Sequence, residues 1–273
     1  MLTWFPMLIP NWNPASRMKI IRTSVRSSRS LWKDFREATR NRELLTLVLM
    51  IFILEAGFQF GISIGNHVNT YTYGLSGPQI GFLGLTVLGT SILSQPFWVW
   101  FTRRFEKKTA LVAGLVIGLV GFAGGPWTHV WWKLFPLTGG RVVFTLAIFM
   151  FIAGIGNGAF MSIPNSMVAD AADLEELRTG KRDEGLCFGT YTFAYKAGTA
   201  CSWVLAGGAL SLMGFVAGSP TQTAAVKFQL AMVPTYLLLA VGPLALFAIS
   251  RYGITRARSR ETQVALAARV GGG

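Results

Sequence analysis

The sequence predicts an all-α membrane protein built as a six-transmembrane-helix bundle. Of its residues, 52% are hydrophobic and only 14% are charged, whereas about a quarter of a soluble domain is charged. The chain also contains six apolar runs, each near the roughly 20 residues that a helix needs to cross a ~30 Å hydrocarbon core. The basic residues are clustered between these runs, which is typical of loops at a membrane surface.

The first 43 residues precede the apolar runs and are polar and basic. We predict that residues 1–43 form a basic cytoplasmic segment. Within it, residues 30–42 could form a surface helix that turns Leu31, Trp32 and Phe35 toward lipid or protein.

The six predicted spans form a transmembrane bundle over residues 44–250. They cover residues 44–66, 78–101, 109–127, 142–168, 185–215 and 228–250. Residues 251–273, which contain several arginines, are predicted to be a cytoplasmic tail.

Loop charges predict the orientation of the bundle. Nearly every Lys and Arg falls in residues 1–43, the 103–108 loop, the 170–184 loop or the tail. Because cytoplasmic loops carry an excess of basic residues, both termini are expected in the cytoplasm of an integral membrane protein, in a bacterial inner membrane. The net charge of +13 is then explained by anionic membrane lipids and topology, and we expect no nucleic-acid partner.

The two cysteines offer neither a disulfide nor a metal site. Cys187 and Cys201 lie about four turns apart on one predicted helix, which is too far for a bond between their sulfur atoms. No metal-ligand spacing is present. We therefore expect no metal and no cofactor other than a coupling ion, sodium or a proton.

Glu55 is a carboxylate in the middle of the first predicted span. Gln59 follows one turn later and lies near the same face. A buried carboxylate needs a partner or water. The pattern indicates either a polar stripe packed against neighbouring helices or one face of a water-filled cavity that binds a polar solute.

Lys196 is a lone lysine about three turns into the fifth predicted span, and Thr192 lies one turn before it. An ionisable residue within a span is a functional-site hypothesis by default. The alternative is a lysine that extends its ammonium group to a membrane edge. We favour a role in a solute or ion cavity.

The fourth predicted span carries polar groups in its cytoplasmic half, beginning with Asn157, and Pro164 removes one backbone hydrogen bond there. Broken helices supply carbonyl groups to transporter sites. A simple proline kink explains the same pattern, but Asn157 remains a candidate cavity residue.

Asp170 and Asp173 lie in the predicted charged loop with Arg182. Paired aspartates could hold a divalent metal in a membrane enzyme. The chain lacks the further aspartates that such an active site needs, so we predict no enzyme. A cytoplasmic network of charges that locks one conformation and opens in another is the favoured interpretation.

Four segments resemble a known family. They are RNRELLTLVLMIFI from residue 40, WFTRRFEKKTALVAG from residue 100, MVADAADLEELRTGKRDEG from residue 167 and YKAG from residue 195. They resemble parts of the glycoside–pentoside–hexuronide:cation symporters. The first segment is similar to the entry of that family's seventh helix, and the second to its short basic loop between the eighth and ninth helices. The third and fourth are similar to a cytoplasmic loop of the family and the helix that follows it. These melibiose permease-like proteins belong to the major facilitator superfamily.

The resemblance implies a C-terminal half only, since a full member has about twelve helices in two halves. Residues 1–43 resemble the family's central loop, and the family's principal cation site lies on the other half. By resemblance, Lys196 approaches that cation site and Thr192 faces the sugar pocket. Asp170, Asp173 and Arg182 correspond to the network that controls alternating access.

The leading hypothesis is therefore a secondary active transporter, or its C-terminal half, that moves a small polar solute such as a sugar with a cation by alternating access. Its expected partners are membrane lipids, the solute, and an N-terminal six-helix half or a second copy. The alternative is a non-transporting half-transporter subunit packed in a larger membrane complex.

Overall fold

The computed structural model describes residues 41–134, 140–180 and 183–271, so the basic segment 1–40 lies outside the described residues. Every regular element within these ranges is helical. The helices are α1 (Arg42–His67, continued by a π-helical turn over Val68–Thr72), α2 (Gly77–Leu93), α3 (Gln95–Arg104), α4 (Lys107–Leu134), α5 (Gly140–Thr179), α6 (Glu184–Leu212), α7 (Ala224–Ser250) and α8 (Arg256–Gly271).

The all-α membrane fold is confirmed. In the described part of the chain, five stretches are long and apolar enough to cross a membrane: Arg42–Thr72, Gly77–Arg104, Lys107–Gly125, Gly140–Thr179 and Ala224–Ser250. The predicted fifth span is one continuous helix, α6, of 29 residues. It is less apolar than the other five because it carries Lys196 and several hydroxyl and glycine residues.

The second predicted span is divided into α2 and α3. Ser94 ends α2 and precedes α3, and Pro96 occupies the first turn of α3. Proline has no N–H group and its ring disfavours the preceding helical turn. The division leaves Trp98 fully buried, with its Nε1–H donating to the Ile155 carbonyl at 2.8 Å.

The α4–α5 pair is held at close range by small residues. A methyl group added to Gly156 would meet the backbone of Gly114 and Gly118 on α4. Small residues let membrane helices pack backbone against backbone. This contact fixes α5 in the interior, where α2, α4 and α8 all pack against it.

The predicted 170–184 loop is mostly helical, which corrects the expected loop. Helix α5 continues through the charged residues to Thr179 and ends at Gly180, whose positive φ of 72° favours glycine. The extension packs Asp170, Ala171 and Ala172 against the bundle. The charged residues of this segment predicted a loop, but the burial of these small side chains against the bundle favours a continued helix.

Two apolar clusters fill the bundle. One is centred on Leu47, Trp98 and Ile249, and the other on Ile64, Leu146 and Leu230. We call the end nearest the first cluster, where Asn41–Glu43, Arg103–Lys108, Asp170–Thr179 and α8 meet, the basic end. The candidate site lies beside the first cluster, which supplies Ile51, Leu115 and Tyr191 to its wall.

Candidate functional site

A cavity of about 500 Å³ lies inside the bundle and is partly open. Helices α1, α4, α5, α6 and α7 all contribute to its wall. Most lining side chains are aliphatic or aromatic, and its polar members are Glu55, Asn157, Asn165, Tyr191 and Tyr195. Its volume falls within the ~300–1,000 Å³ range of small-molecule sites, which combine apolar walls with a few polar groups.

Glu55 is the acidic residue of this cavity and is only 6% exposed. Its Oε1 accepts hydrogen bonds from Gln59 Nε2 at 2.7 Å and from Thr199 Oγ1 at 3.1 Å. The Tyr195 hydroxyl interacts with both Glu55 and Gln59. Glu55 is thus held by neutral groups of α1 and α6.

Gly198 explains how α6 comes close enough to hold Glu55. A methyl group at this position would lie 2.8 Å from the Phe52 carbonyl oxygen and 3.2 Å from Glu55 Cβ. Only a glycine allows this approach without movement of the α1 backbone. One turn of α6 therefore presents Tyr195 and Thr199 to the carboxylate.

Asn157 lines the cavity from α5. Its Nδ2 donates to Ser91 Oγ on α2 at 3.0 Å, which fixes the amide group. One and two turns later, Met161 and Asn165 line the same wall, and Asn165 Nδ2 donates to the Met161 carbonyl at 3.2 Å. The structure thus brings Glu55 and Asn157 to one cavity.

Lys196 and Thr192 are placed differently from Glu55 and Asn157, and Gln59, which donates to Glu55, does not line the cavity either. The side chains of Lys196 and Thr192 are exposed on α6, and neither lines the cavity. The Lys196 ammonium lies 5.5 Å from the centroid of the Tyr195 ring. Tyr195 therefore links the cavity carboxylate on one side of α6 with the lysine on its outer side.

Asp170 is the centre of a charged cluster at the basic end. It is 7% exposed, and its Oδ2 lies 2.6 Å from Lys107 Nζ. Its Oδ1 accepts a hydrogen bond from Ser259 Oγ on α8 at 3.0 Å. Lys107 also donates to the Ser166 carbonyl, so α4, α5 and α8 meet at one carboxylate.

The other two predicted members of the network do not share this site. Asp173 is half-buried and forms no hydrogen bond or ion pair with the residues that the structure describes. Arg182 lies outside the described residues. The role of the three residues as a conformational lock stays a prediction.

Helix α8 is a part of the site that sequence reasoning missed, because residues 251–273 were expected only to be a tail. Arg256 of α8 donates to the carbonyls of Thr102 and Phe105 at the end of α3, and Thr262 is buried. Among the described residues of α8 only Thr262 is buried, so the segment lacks the apolar pattern by which an amphipathic helix is recognised.

Tyr252 completes the junction between α5, α7 and α8. Its hydroxyl donates to the Met167 carbonyl at 3.3 Å. Burial, reinforced by the charges of Asp170 and Glu43, raises the pKa of Tyr252 well above its ordinary value of 10.0. The hydroxyl therefore stays protonated and remains a donor throughout the physiological pH range.

Comparison with known proteins agrees with this architecture. Residues 14–256 match the profile of the family described as MFS/sugar transport protein. An uncharacterised symporter of Synechocystis is 31% identical over 250 residues, a match that covers 88% of this chain and 43% of the relative.

Two further relatives carry more specific names. The human sodium-dependent lysophosphatidylcholine symporter 1 is 29% identical over 224 residues, covering 81% of this chain and 39% of the relative. An Escherichia coli glucuronide carrier protein homolog is 28% identical over 158 residues, covering 56% of this chain and 32% of the relative.

The chain spans less than half the length of these curated relatives. This partial coverage agrees with the C-terminal half indicated by the four sequence segments. The matches confirm the resemblance to the melibiose permease-like cation symporters. The chain is an integral membrane protein that belongs to the MFS/sugar transport protein family.

Proposed function

We propose that this chain acts as the C-terminal half of a secondary active transporter that moves a small hydroxylated solute, such as a sugar, together with sodium. The observation that carries the proposal is the cavity lined by α1, α4, α5, α6 and α7. Aromatic walls suit the faces of a sugar ring, and Glu55 and Asn157 can exchange hydrogen bonds with hydroxyl groups.

The names of the relatives support the solute and the ion. They include a glucuronide carrier homolog, a putative sulfoquinovose importer and a sodium-dependent symporter. The cavity is partly open, which leaves room for a second helical bundle to complete the site. Alternating access would rock the two bundles around the solute.

The basic end supports a cytoplasmic position for both termini. Its Lys and Arg side chains cap helix ends, as in Lys108, whose Nζ donates to the Ser250 carbonyl at 2.6 Å. Such an excess of basic residues marks the cytoplasmic face. Asp170 and its partners would then act as the cytoplasmic lock, in an inner membrane.

The test is solute uptake into lipid vesicles that contain this chain together with a matching N-terminal six-helix half. We expect uptake that requires both halves and rises with an inward sodium gradient. Vesicles with either half alone are the control. If no sugar enters above the rate of empty vesicles with both halves folded, the chain is a non-transporting subunit and the proposal is wrong.

A further inference from the structure

We propose that the outer face of α3, at the basic end, is a binding site for one anionic phospholipid. The lipid phosphate lies at Arg103 and Arg104, and an acyl chain lies along the exposed apolar residues that precede them. The inference goes beyond the proposed function, because a lipid held at this face is not the transported solute. It needs only the membrane position of the bundle.

The cations where α3 meets α4 are used unequally. Lys107 binds the Asp170 carboxylate, and Lys108 donates to carbonyl groups at and just after the end of α7. Arg103 and Arg104, in contrast, are exposed and form no hydrogen bond or ion pair with the residues that the structure describes. Two adjacent guanidinium groups are therefore left for an external anion.

The neighbouring carboxylate is directed to α8 rather than to these arginines. Glu106 is the acidic residue nearest to them in the sequence, and its Oε2 accepts a hydrogen bond from the Arg256 backbone N–H at 2.9 Å. The Arg256 guanidinium in turn donates to carbonyls at the end of α3. Helix α8 thus engages the carboxylate and places a further cation beside this face, so the net charge there is positive.

An exposed apolar stripe leads to Arg104. Leu93, Phe97 and Trp100 precede it at spacings of three or four residues, and all three side chains are exposed. Ser94, between α2 and α3, has helical dihedral angles, so the four residues lie on one face. The Phe97 and Trp100 rings are neighbours, with centroids 6.0 Å apart. The stripe offers an apolar surface to a lipid chain.

The length of this stripe matches one leaflet of the membrane. At 1.5 Å per residue, Leu93 and Arg104 are about 16 Å apart along the helix axis, which is about half of a ~30 Å hydrocarbon core. The membrane-spanning stretch Gly77–Arg104 also ends at this arginine. An acyl chain that lies along the stripe therefore brings its phosphate to the level of Arg103 and Arg104.

Trp100 holds the Arg104 side chain in a position to bind the phosphate. The guanidinium carbon of Arg104 lies 5.5 Å from the centroid of the Trp100 ring. This cation–π contact leaves the N–H donors of the guanidinium group free to bind two oxygens of one phosphate. Arg103 adds a second positive charge, which favours an anionic lipid and repels the ammonium group of a zwitterionic one.

Arg251, at the end of α7, offers a matched control within the same chain. It is also exposed, and its guanidinium carbon lies 4.7 Å from the centroid of the Phe247 ring. Arg251 has no second cation beside it in the sequence. A general attraction between lipid and basic residues would involve Arg251 and Arg104 equally, whereas a defined phosphate site needs the pair on α3.

The experiment titrates the purified full chain in detergent with phosphatidylglycerol or with phosphatidylcholine of the same acyl chains, and native mass spectrometry counts the bound lipids. We expect one phosphatidylglycerol to bind more tightly than any phosphatidylcholine. In the double variant Arg103→Gln, Arg104→Gln this affinity should fall at least about tenfold, because each basic residue near an anionic headgroup contributes several-fold. Arg251→Gln should keep the native affinity.

A further variant tests the stripe separately. Trp100→Leu keeps both arginines and an apolar side chain but removes the cation–π contact, so the affinity for phosphatidylglycerol should fall about two- to fivefold, as expected for an exposed contact of this kind. All the replaced side chains are exposed, and thermal unfolding in detergent checks that each variant folds like the native chain.

Four results would overturn the site. Equal losses in Arg251→Gln and in the double variant would show a general attraction of basic residues for lipid. Displacement of the lipid by inorganic phosphate at the same concentration would show a site for free anions. Release of the lipid when a matching N-terminal half is added would show that protein covers the stripe. Native affinity in the folded double variant would remove the arginines from binding altogether.

Discussion

The cavity and the basic end both contain a buried carboxylate, but the two carboxylates have different partners. Asp170 at the basic end faces the Lys107 ammonium at 2.6 Å and the Ser259 hydroxyl at 3.0 Å. Glu55 in the cavity is bonded only to neutral groups among the residues described, including Gln59 at 2.7 Å. The two side chains are buried to nearly the same extent, with 6% of Glu55 and 7% of Asp170 exposed.

This difference separates a structural role from a binding role. At the basic end the countercharge belongs to the protein, so the carboxylate joins helices whether or not a ligand is bound. In the cavity the partners of the carboxylate among the described residues are neutral, so Glu55 is available to exchange hydrogen bonds with a bound solute. Loss of the carboxylate should therefore reduce stability at the basic end and abolish function in the cavity.

The largest expected effect is on transport by Glu55→Gln. Since this change removes the carboxylate that we assign to solute binding in the cavity, sodium-stimulated uptake should fall to the rate of empty vesicles in the two-half assay. The free energy of unfolding should hardly change, because the amide oxygen of the glutamine can still accept the hydrogen bonds from Gln59 and Thr199. Uptake and thermal unfolding in detergent are measured on the same preparation.

Asp170→Asn provides the contrast for that result. If both variants lost stability equally and transported equally well, the two carboxylates would play the same role and the distinction would fail.

Lys196→Ala tests a charge that belongs to neither region. The lysine is exposed and forms no ion pair with the described residues; its contact is with the Tyr195 ring. An exposed contact of this kind contributes about 0.5–1 kcal/mol, so thermal stability should hardly change. Sodium-coupled uptake should nevertheless be lost if the lysine faces the second bundle.

The matched change for Lys196→Ala is Lys196→Arg, which keeps the charge and the ring contact. We expect it to retain part of the coupled uptake. Full coupling in Lys196→Ala would remove the role that the family resemblance assigns to this lysine.

Asp170→Asn should lower the free energy of unfolding by about 1–3 kcal/mol. The estimate lies between the values for exposed and fully buried ion pairs, because Asp170 is buried and Lys107 is 31% exposed. Chemical denaturation in detergent, followed by tryptophan fluorescence, measures the change.

Asp173→Asn is the control for Asp170→Asn on the same helix. Asp173 has no ion pair with the described residues, so its replacement should change stability by less than about 0.5 kcal/mol. Equal losses in the two variants would show that the Lys107 contact does not stabilise the basic end.

The sequence predicted the helical membrane fold because the apolar runs and the basic loops follow from burial in lipid, which needs no tertiary information. It also singled out Glu55 and Asn157, since a polar residue in an apolar run is visible in one dimension; both line the cavity, and their roles in binding stay predictions. It could not show that Lys196 and Thr192 lie on the outer side of α6. That placement depends on which face of α6 meets α1, and Gly198 decides it through a contact with a residue far away in the chain.

The basic end was predicted less completely for a related reason. The partner of Asp170 is Lys107 on α4, not a residue of its own loop, and Ser259 belongs to a segment expected to be only a tail. Long-range pairs of charges leave no pattern in the local sequence. The helical extension of α5 to Thr179 depends on the same packing.

The smallest effect is expected at the rim of the basic end, from Arg258→Ala. Arg258 Nη1 lies 3.8 Å from Glu43 Oε1, and Arg258 is 49% exposed. Water and salt screen such a pair, so its loss should cost at most about 0.5 kcal/mol. Glu43 keeps its stronger contact, a hydrogen bond of 2.7 Å from the Gly253 N–H.

Denaturation of Arg258→Ala at low and high salt completes the comparison. The native chain and the variant should converge as salt increases, whereas the deficit of Asp170→Asn should persist because its partner is better shielded from water. A loss above about 1 kcal/mol in Arg258→Ala would exceed the range of exposed pairs. The stability of the basic end would then depend on its total positive charge rather than on the buried contact at Asp170.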